Sequence, residues 1–310
     1  MTSRLVRDVE VLGPWSLATS RAFWEGFTPA ALGAQEGAAL TTAFCVEGDG
    51  ERVEVTVTQT GDGARVLVTG DGDLDAAVAQ TCRMLALDVD GRGWAAVADA
   101  DPVLREAREQ LPGLRPCGFH SPYEAAAWSV LSQRIRMAQA ARLSEQLVAR
   151  LGTGGAFPAP QVLAGAVLDL PGRKAEYLTA VAEAALEGRL DGGRLRAMDP
   201  AAALASIRAV KGLGPFAAEL VLLRGANAPD VVPTHEKRLE DEVRERYRLT
   251  QGTSHLTQGT SHRTQGTSSL EQVSDAWRPY RTWAAVHLRV LRERRLVPGR
   301  GHDMNRVGSR

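Results

Sequence analysis

Two short stretches of this 310-residue chain carry groups that could do chemistry. The first is "VKGLGPFAAE", residues 210–219, with Gly212 and Gly214 two apart and Pro215 directly behind. Glycine tolerates positive φ and lets another backbone or a ligand come close. Proline suits the first position of a helix, where its missing N–H costs nothing. A helix starting there offers unpaired amides, reinforced by the helix dipole, as a hold for an anion such as phosphate. The second stretch is "VVPTHEKRL", residues 231–239, with His235 and Glu236 adjacent and Asp230 just ahead. These are groups of general acid–base type, and Thr234 is placed to cap the helix that follows.

The elements that must position these groups divide the chain. "TTAFCVEGDGERVEVTVTQTGDGARVLVTGDGD" alternates between apolar and polar residues, with Gly-Asp-Gly turn signals between the runs. Val53, Val55 and Val57 share one face, the pattern of a half-buried antiparallel strand. "LDAAVAQTCRMLAL" follows as a helix with Leu74, Val78, Cys82 and Leu85 on one stripe. A turn-rich boundary lies near residues 111–122. From Tyr123 onward the reading is helical. The first long segment opens at Ser-Pro, ends at Gly152 and has a break near Gln133–Arg136. Further helices are expected in "GRKAEYLTAVAEAALEG", "PAAALASIRAV", "PFAAELVLLRG", "HEKRLEDEVRERY" and "LEQVSDAWRPYRTWAAVHLRVLRERR". The expected fold class is α+β: a small antiparallel sheet domain over residues 1–115, then an all-helical domain over 116–298.

Residues 250–270 are three copies of a seven-residue unit, "TQGTSHL", "TQGTSHR" and "TQGTSSL". With at most one apolar residue per unit and a glycine in each, the repeat cannot bury a coiled-coil seam. It is expected to be a disordered surface loop, and 299–310 a disordered tail. Residues 1–120 carry 10 Arg and no Lys against 18 Asp and Glu, whereas 121–310 hold 27 basic and 19 acidic residues. That asymmetry directs a polyanionic partner to the second part. No apolar run has membrane-spanning length, no signal peptide is expected, and Cys45, Cys82 and Cys117 form no metal-binding pattern.

Taken in order, "SPYEAAAWSVLSQRIRMAQAARL", "GRKAEYL", "VKGLGPFAAELVLLRGANAPDVVPTHEKRL" and "WRPYRTWAAVHL" resemble the helix–hairpin–helix DNA glycosylase superfamily. The 3-methyladenine DNA glycosylase II branch is the most similar. The resemblance spans roughly residues 75–294 outside the repeat. It implies base-excision repair on double-stranded DNA, in which a damaged, alkylated base is flipped into a pocket and cut from its sugar. It also implies DNA contacts from Gly212, Gly214, Lys211, Gln133, Arg134, Arg173 and Lys174, with Gln133 and Arg134 at the wedge. The base pocket would hold Phe216, Leu220, Arg289 and Trp128. A monomeric, cytoplasmic, nucleoid-associated protein is expected, with no cofactor beyond a monovalent cation on the hairpin carbonyls.

The sequence departs from the family at three places. The lyase-type lysine two residues after the second hairpin glycine is Phe216 here, so no Schiff base is expected and the enzyme would be monofunctional. The catalytic aspartate falls on Pro233 in one register and His235 in the other. That leaves Glu236 and Asp230 as the nearest carboxylates, with His235 to orient water, or else a catalytically weak or inactive DNA binder. Of the pocket positions, Phe216 keeps a ring but Leu220 and Arg289 do not. The repeat yields a first test. Replacing residues 250–270 with a short linker should leave the melting temperature and DNA affinity nearly unchanged, measured by thermal melting and duplex titration.

Overall fold

The computed structural model describes residues 2–26, 37–249 and 269–296. The expected repeat loop falls largely outside these residues, and the expected tail entirely so. The loop reading is corrected at its end: Leu270 lies in the helix Ser269–Ser274, is buried and donates its amide to Glu240 at 3.1 Å, so the linker replacement must stop short of it. In chain order the elements are β1 Ser3–Val9, α1 Leu17–Glu25, β2 Leu40–Cys45, β3 Arg52–Thr60, β4 Gly63–Gly70, α2 Leu74–Met84, α3 Trp94–Asp99, α4 Pro102–Gln110, α5 Pro122–Leu131, α6 Met137–Leu151 and α7 Pro160–Gly165. They continue with α8 Lys174–Leu186, α9 Gly192–Ala197, α10 Pro200–Arg208, α11 Pro215–Leu220, α12 Lys237–Arg246, α13 Ser269–Ser274 and α14 Arg281–Leu296. The result is a small antiparallel sheet followed by helices, an α+β fold. No helix among the described residues is long and apolar enough to cross a membrane.

Packing divides the chain into two compact units that interleave in sequence, a different line from the local-structure boundary at 115/116. One joins Met1–Gly93 to Pro112–Pro229, and the other joins Trp94–Leu111 to Asp230–Arg310.

In the first unit the strands run β1-β4-β3-β2, all antiparallel. Val55 faces Val68 and Val57 faces Val66 across β3 and β4. Val53, Val55, Val57, Val66 and Val68 are fully buried, so the alternation in the sequence sets the core face. β1 shows no such alternation: it is an edge strand exposed on both faces, paired to β4 through its backbone and through Asp8 with Arg65 at 2.7 Å. Cys82 and Leu85 of the expected α2 stripe are buried, and Leu74 and Val78 half-buried.

The expected long helix is two helices, α5 and α6, broken over residues 132–136. Ser121 caps α5 by accepting from the Glu124 amide, with Pro122 in its first turn. α5 is apolar and buried all round, the mark of a central helix. It contacts α6, α8 and α11. Arg115, fully buried, donates to the carbonyls of Leu12, Pro14, Ala86 and Val89 and knits the loops beneath the sheet.

The second unit packs α4 and α12 against α14. Trp94, Trp277, Tyr280 and Trp283 fill its core; Trp94, Tyr280 and Trp283 meet edge-on or tilted, and Trp277 lies tilted against Tyr247. These rings serve packing. Asp101 caps α4 with one carboxylate oxygen and accepts Tyr247 Oη at 2.5 Å and Trp277 Nε1 at 3.2 Å with the other. His287 lies fully buried beside Trp94, its Nδ1 2.8 Å from the Trp283 carbonyl and its Nε2 without a hydrogen-bond partner among the described residues.

Burial pulls the His287 pKa down to about 4, so the folded protein keeps this ring neutral while the unfolded chain protonates it near 6.5. The folded-state value is depressed, so the neutral ring's contribution is complete above pH 6.5 and is lost as the pH falls towards 4. The expected loss is about 2–4 kcal/mol across that window. Denaturant unfolding of the parent and of His287→Asn at stepped pH should show the acid-side slope weaken in the variant.

Candidate functional site

The hairpin joins α10 to α11 within the first unit. Gly212 has φ +93°, and a Cβ there would sit 2.4 Å from Cγ of Tyr177. Only glycine fits both demands. Gly214 differs from the sequence reading: its φ is −86°, and a Cβ there would meet open space. Its role is to leave the start of α11 bare. Gly214 is the N-cap and brings no side chain to it, and Pro215 opens the helix. Ala218 is the first residue to donate inside the helix, to the Gly214 carbonyl at 2.9 Å. The Phe216 and Ala217 amides ahead of it therefore have no intrahelical acceptor. The last turn of the expected helix, Val221–Gly225, is wound as a π-helix.

The α5–α6 break reaches this hairpin. Gln133 donates from Nε2 to the Gly212 carbonyl at 2.8 Å. Arg134 beside it is exposed and adopts φ +56°. Lys174 corrects the sequence reading: it is buried, and its amine donates to the carbonyls of Val130 and Gln133 at 2.8 and 2.9 Å. Its role is to hold the end of α5, and desolvation lowers its pKa. Arg173 is exposed at the start of α8, with its guanidinium 5.1 Å over the Tyr177 ring.

Glu176 lies between Arg173 and Lys211 of the hairpin. It accepts Arg173 Nε at 2.7 Å and Nη2 at 3.0 Å, and pairs with the Lys211 amine. Hydrogen bonds from Arg173 and then Lys211 hold its carboxyl down to about 2. Tyr177 and Glu176 escaped sequence reasoning, although their i+3 and i+4 spacing from Arg173 was the available signal.

The pocket candidates come from both units. Phe216 is 52% exposed beside the hairpin and Leu220 is half-buried. Trp128 lines a separate cavity of about 700 Å³ with Phe119, His120, Glu124 and Phe157, and no hairpin residue lines it. His120 there is satisfied on both ring nitrogens, by Glu124 and Thr42 at 2.8 Å each. Arg289 belongs to the second unit.

The acid candidates also lie in the second unit. Asp230 is anchored: it accepts the Arg281 backbone amide at 3.2 Å and Nε at 2.7 Å, and Arg278 lies 3.4 Å away. It fixes the loop. Glu236 is itself the N-cap of α12, accepting the Arg238 amide at 3.1 Å. Thr234 therefore does not cap the helix, and its hydroxyl contacts His235 Nδ1 at 3.1 Å. Glu236 is 28% exposed and 3.8 Å from Arg289 Nε, whose guanidinium also bonds Glu293. His235 is exposed. Among the described residues no group of His, Cys, Asp and Glu could hold a metal ion.

No protein-family model matches the chain. It is 26% identical over 220 residues to a DNA-3-methyladenine glycosylase of Bacillus subtilis, covering 66% of this chain and 69% of that protein. It is 28% identical over 190 residues to DNA-3-methyladenine glycosylase 2 of Escherichia coli, covering 57% of this chain and 60% of that one. The solved 3-methyladenine DNA glycosylase of Archaeoglobus fulgidus superposes with a TM-score of 0.67 at 20% identity, over 91% of this chain and 96% of that one. The chain is similar in sequence to these glycosylases and shares the fold of the helix–hairpin–helix DNA glycosylases. Its named relatives lie in the 3-methyladenine branch of these enzymes.

The two hairpin glycines should respond differently. Gly212→Ala forces a left-handed Cβ into Tyr177 and should cost about 2–4 kcal/mol. Gly214→Ala should stay within about 1 kcal/mol of the parent. Chemical denaturation of both variants measures the difference.

Proposed function

We propose that this chain is a monofunctional DNA glycosylase of base-excision repair, acting as a monomer on alkylated bases in duplex DNA, with Glu236 as its acid. The observation that carries the reading is the hairpin: Gly212 locked over Tyr177 and held by Gln133, with a bare amide end at Gly214. Such an end grips phosphate without reading sequence. Arg134, Arg136 and Arg208 support it, each exposed and in no ion pair with a described residue. The nucleophile is water, because Phe216 stands where lyase relatives carry the amine.

In this reading the base leaves with the electrons of its glycosidic bond. The Glu236 carboxylate stabilises the positive charge left on the sugar, and His235 orients the water that adds there. Glu236 also caps α12 and lies near Arg289, so part of its charge is already engaged. Slow turnover on labile lesions is the expected consequence. The carbonyls of Val210, Gly212 and Gly214 each already accept an N–H. No step of this reading runs through a monovalent cation.

A second reading, a damaged-DNA binder that excises nothing, is favoured by one observation. Of the two carboxylate candidates, Asp230 is anchored to Arg281 and Glu236 is committed to its cap. Base release from duplexes carrying alkylated, deaminated and oxidised bases decides between them. In the first reading the parent releases a base and Glu236→Gln releases at least about tenfold less at equal DNA affinity. If the parent releases nothing, the second reading holds.

A further inference from the structure

The exposed cations near the hairpin fall into two groups. Arg134, Arg136 and Arg208 carry no ion pair with a described residue, whereas Arg173 and Lys211 are both engaged by Glu176. The Glu176 carboxylate uses both oxygens: Oε2 takes Arg173 Nε, and Oε1 takes Arg173 Nη2 together with the Lys211 amine. A two-pronged guanidinium grip with an added ammonium is also the arrangement that holds a phosphodiester. Its position is fixed from below. Arg173 lies over Tyr177, the ring that Gly212 rests against, and Lys211 directly precedes that glycine.

We propose that Glu176 gates DNA binding, its carboxylate standing in the free protein where a backbone phosphate of the duplex will sit between Arg173 and Lys211. This rests on the DNA-binding reading above. The exchange is physically open, because the carboxylate is 41% exposed and its two cations are more than half exposed. Exposed pairs of this kind are weak, so a phosphate that also receives the hairpin amides displaces the carboxylate. Releasing the two cations still costs the duplex part of its electrostatic gain. Glu176 therefore sets the threshold of affinity for duplex DNA of any sequence, intact or damaged.

The test is fluorescence anisotropy on an undamaged duplex across a salt series, with the parent, Glu176→Gln, Lys211→Gln and the double variant. Glu183→Gln serves as control, an exposed residue of the same helix in no ion pair with a described residue. Glu176→Gln should bind about three- to tenfold tighter at low salt, with the salt slope steeper by about one. Glu183→Gln should change less. Lys211→Gln should cost more affinity in the Glu176→Gln background than in the parent, because the freed lysine then pairs only with DNA. Glu176→Ala should move affinity in the same direction as Glu176→Gln. Equal or weaker binding by both Glu176 variants, or an equal Lys211 effect in both backgrounds, overturns the gate. A parent that shows no salt-dependent duplex binding overturns the DNA-binding reading, and the gate with it.

Discussion

The arrangement of the proposed phosphate-binding end depends on one backbone position. Gly212 sits at positive φ with its Cα face against Tyr177, and its carbonyl accepts the Gln133 side chain. These constraints join three segments distant in sequence: the hairpin, the break between α5 and α6, and the first turn of α8. Lys174 adds a second tie, from α8 back to the carbonyls ending α5. A buried amine with two carbonyl acceptors is stable only while both are kept, since leaving such groups unpaired costs about 1–3 kcal/mol each. The amide end at Gly214 and the exposed Arg134 are thus held on a frame of side-chain-to-backbone bonds.

The second unit is built differently. Its loop ahead of α12 is tied by Asp230, which spends its carboxylate on Arg281. The helix start is capped by Glu236. A carboxylate that accepts a backbone amide and lies near a guanidinium has less charge to offer a developing cation. Arg289, a pocket candidate that carries a cation in place of a ring, is balanced by Glu236 and Glu293. The proposed chemistry accordingly favours bonds that break with little help.

Most of the secondary structure was legible, because burial periodicity is a local property. Val53, Val55 and Val57 announced their strand, Ser121-Pro122 announced α5, and the polar Gln133–Arg136 stretch announced the break. β1 was not legible: an edge strand exposed on both faces carries no alternation. The site was harder to read, because side-chain direction is set by tertiary partners. Arg173 and Lys174 look like one surface pair, yet one is exposed on Tyr177 and the other reaches into the body of the unit. Asp230, Thr234 and Glu236 all suit a helix start, and only the backbone shows that Glu236 caps it. Trp128 followed the motif but lines a cavity to which no hairpin residue contributes.

The central claim is that the Gly212–Gly214 hairpin grips the DNA backbone in the manner of a glycosylase. Its most direct measurement is equilibrium binding of the parent and Gly214→Asp to two duplexes, one intact and one carrying an abasic-site analogue. Gly214 has open space for a side chain, so the variant keeps its fold while placing a carboxylate at the proposed anion site. The account predicts that the parent prefers the abasic-analogue duplex and that Gly214→Asp weakens binding to both duplexes by a similar factor. Unchanged affinity in a folded Gly214→Asp protein would contradict it.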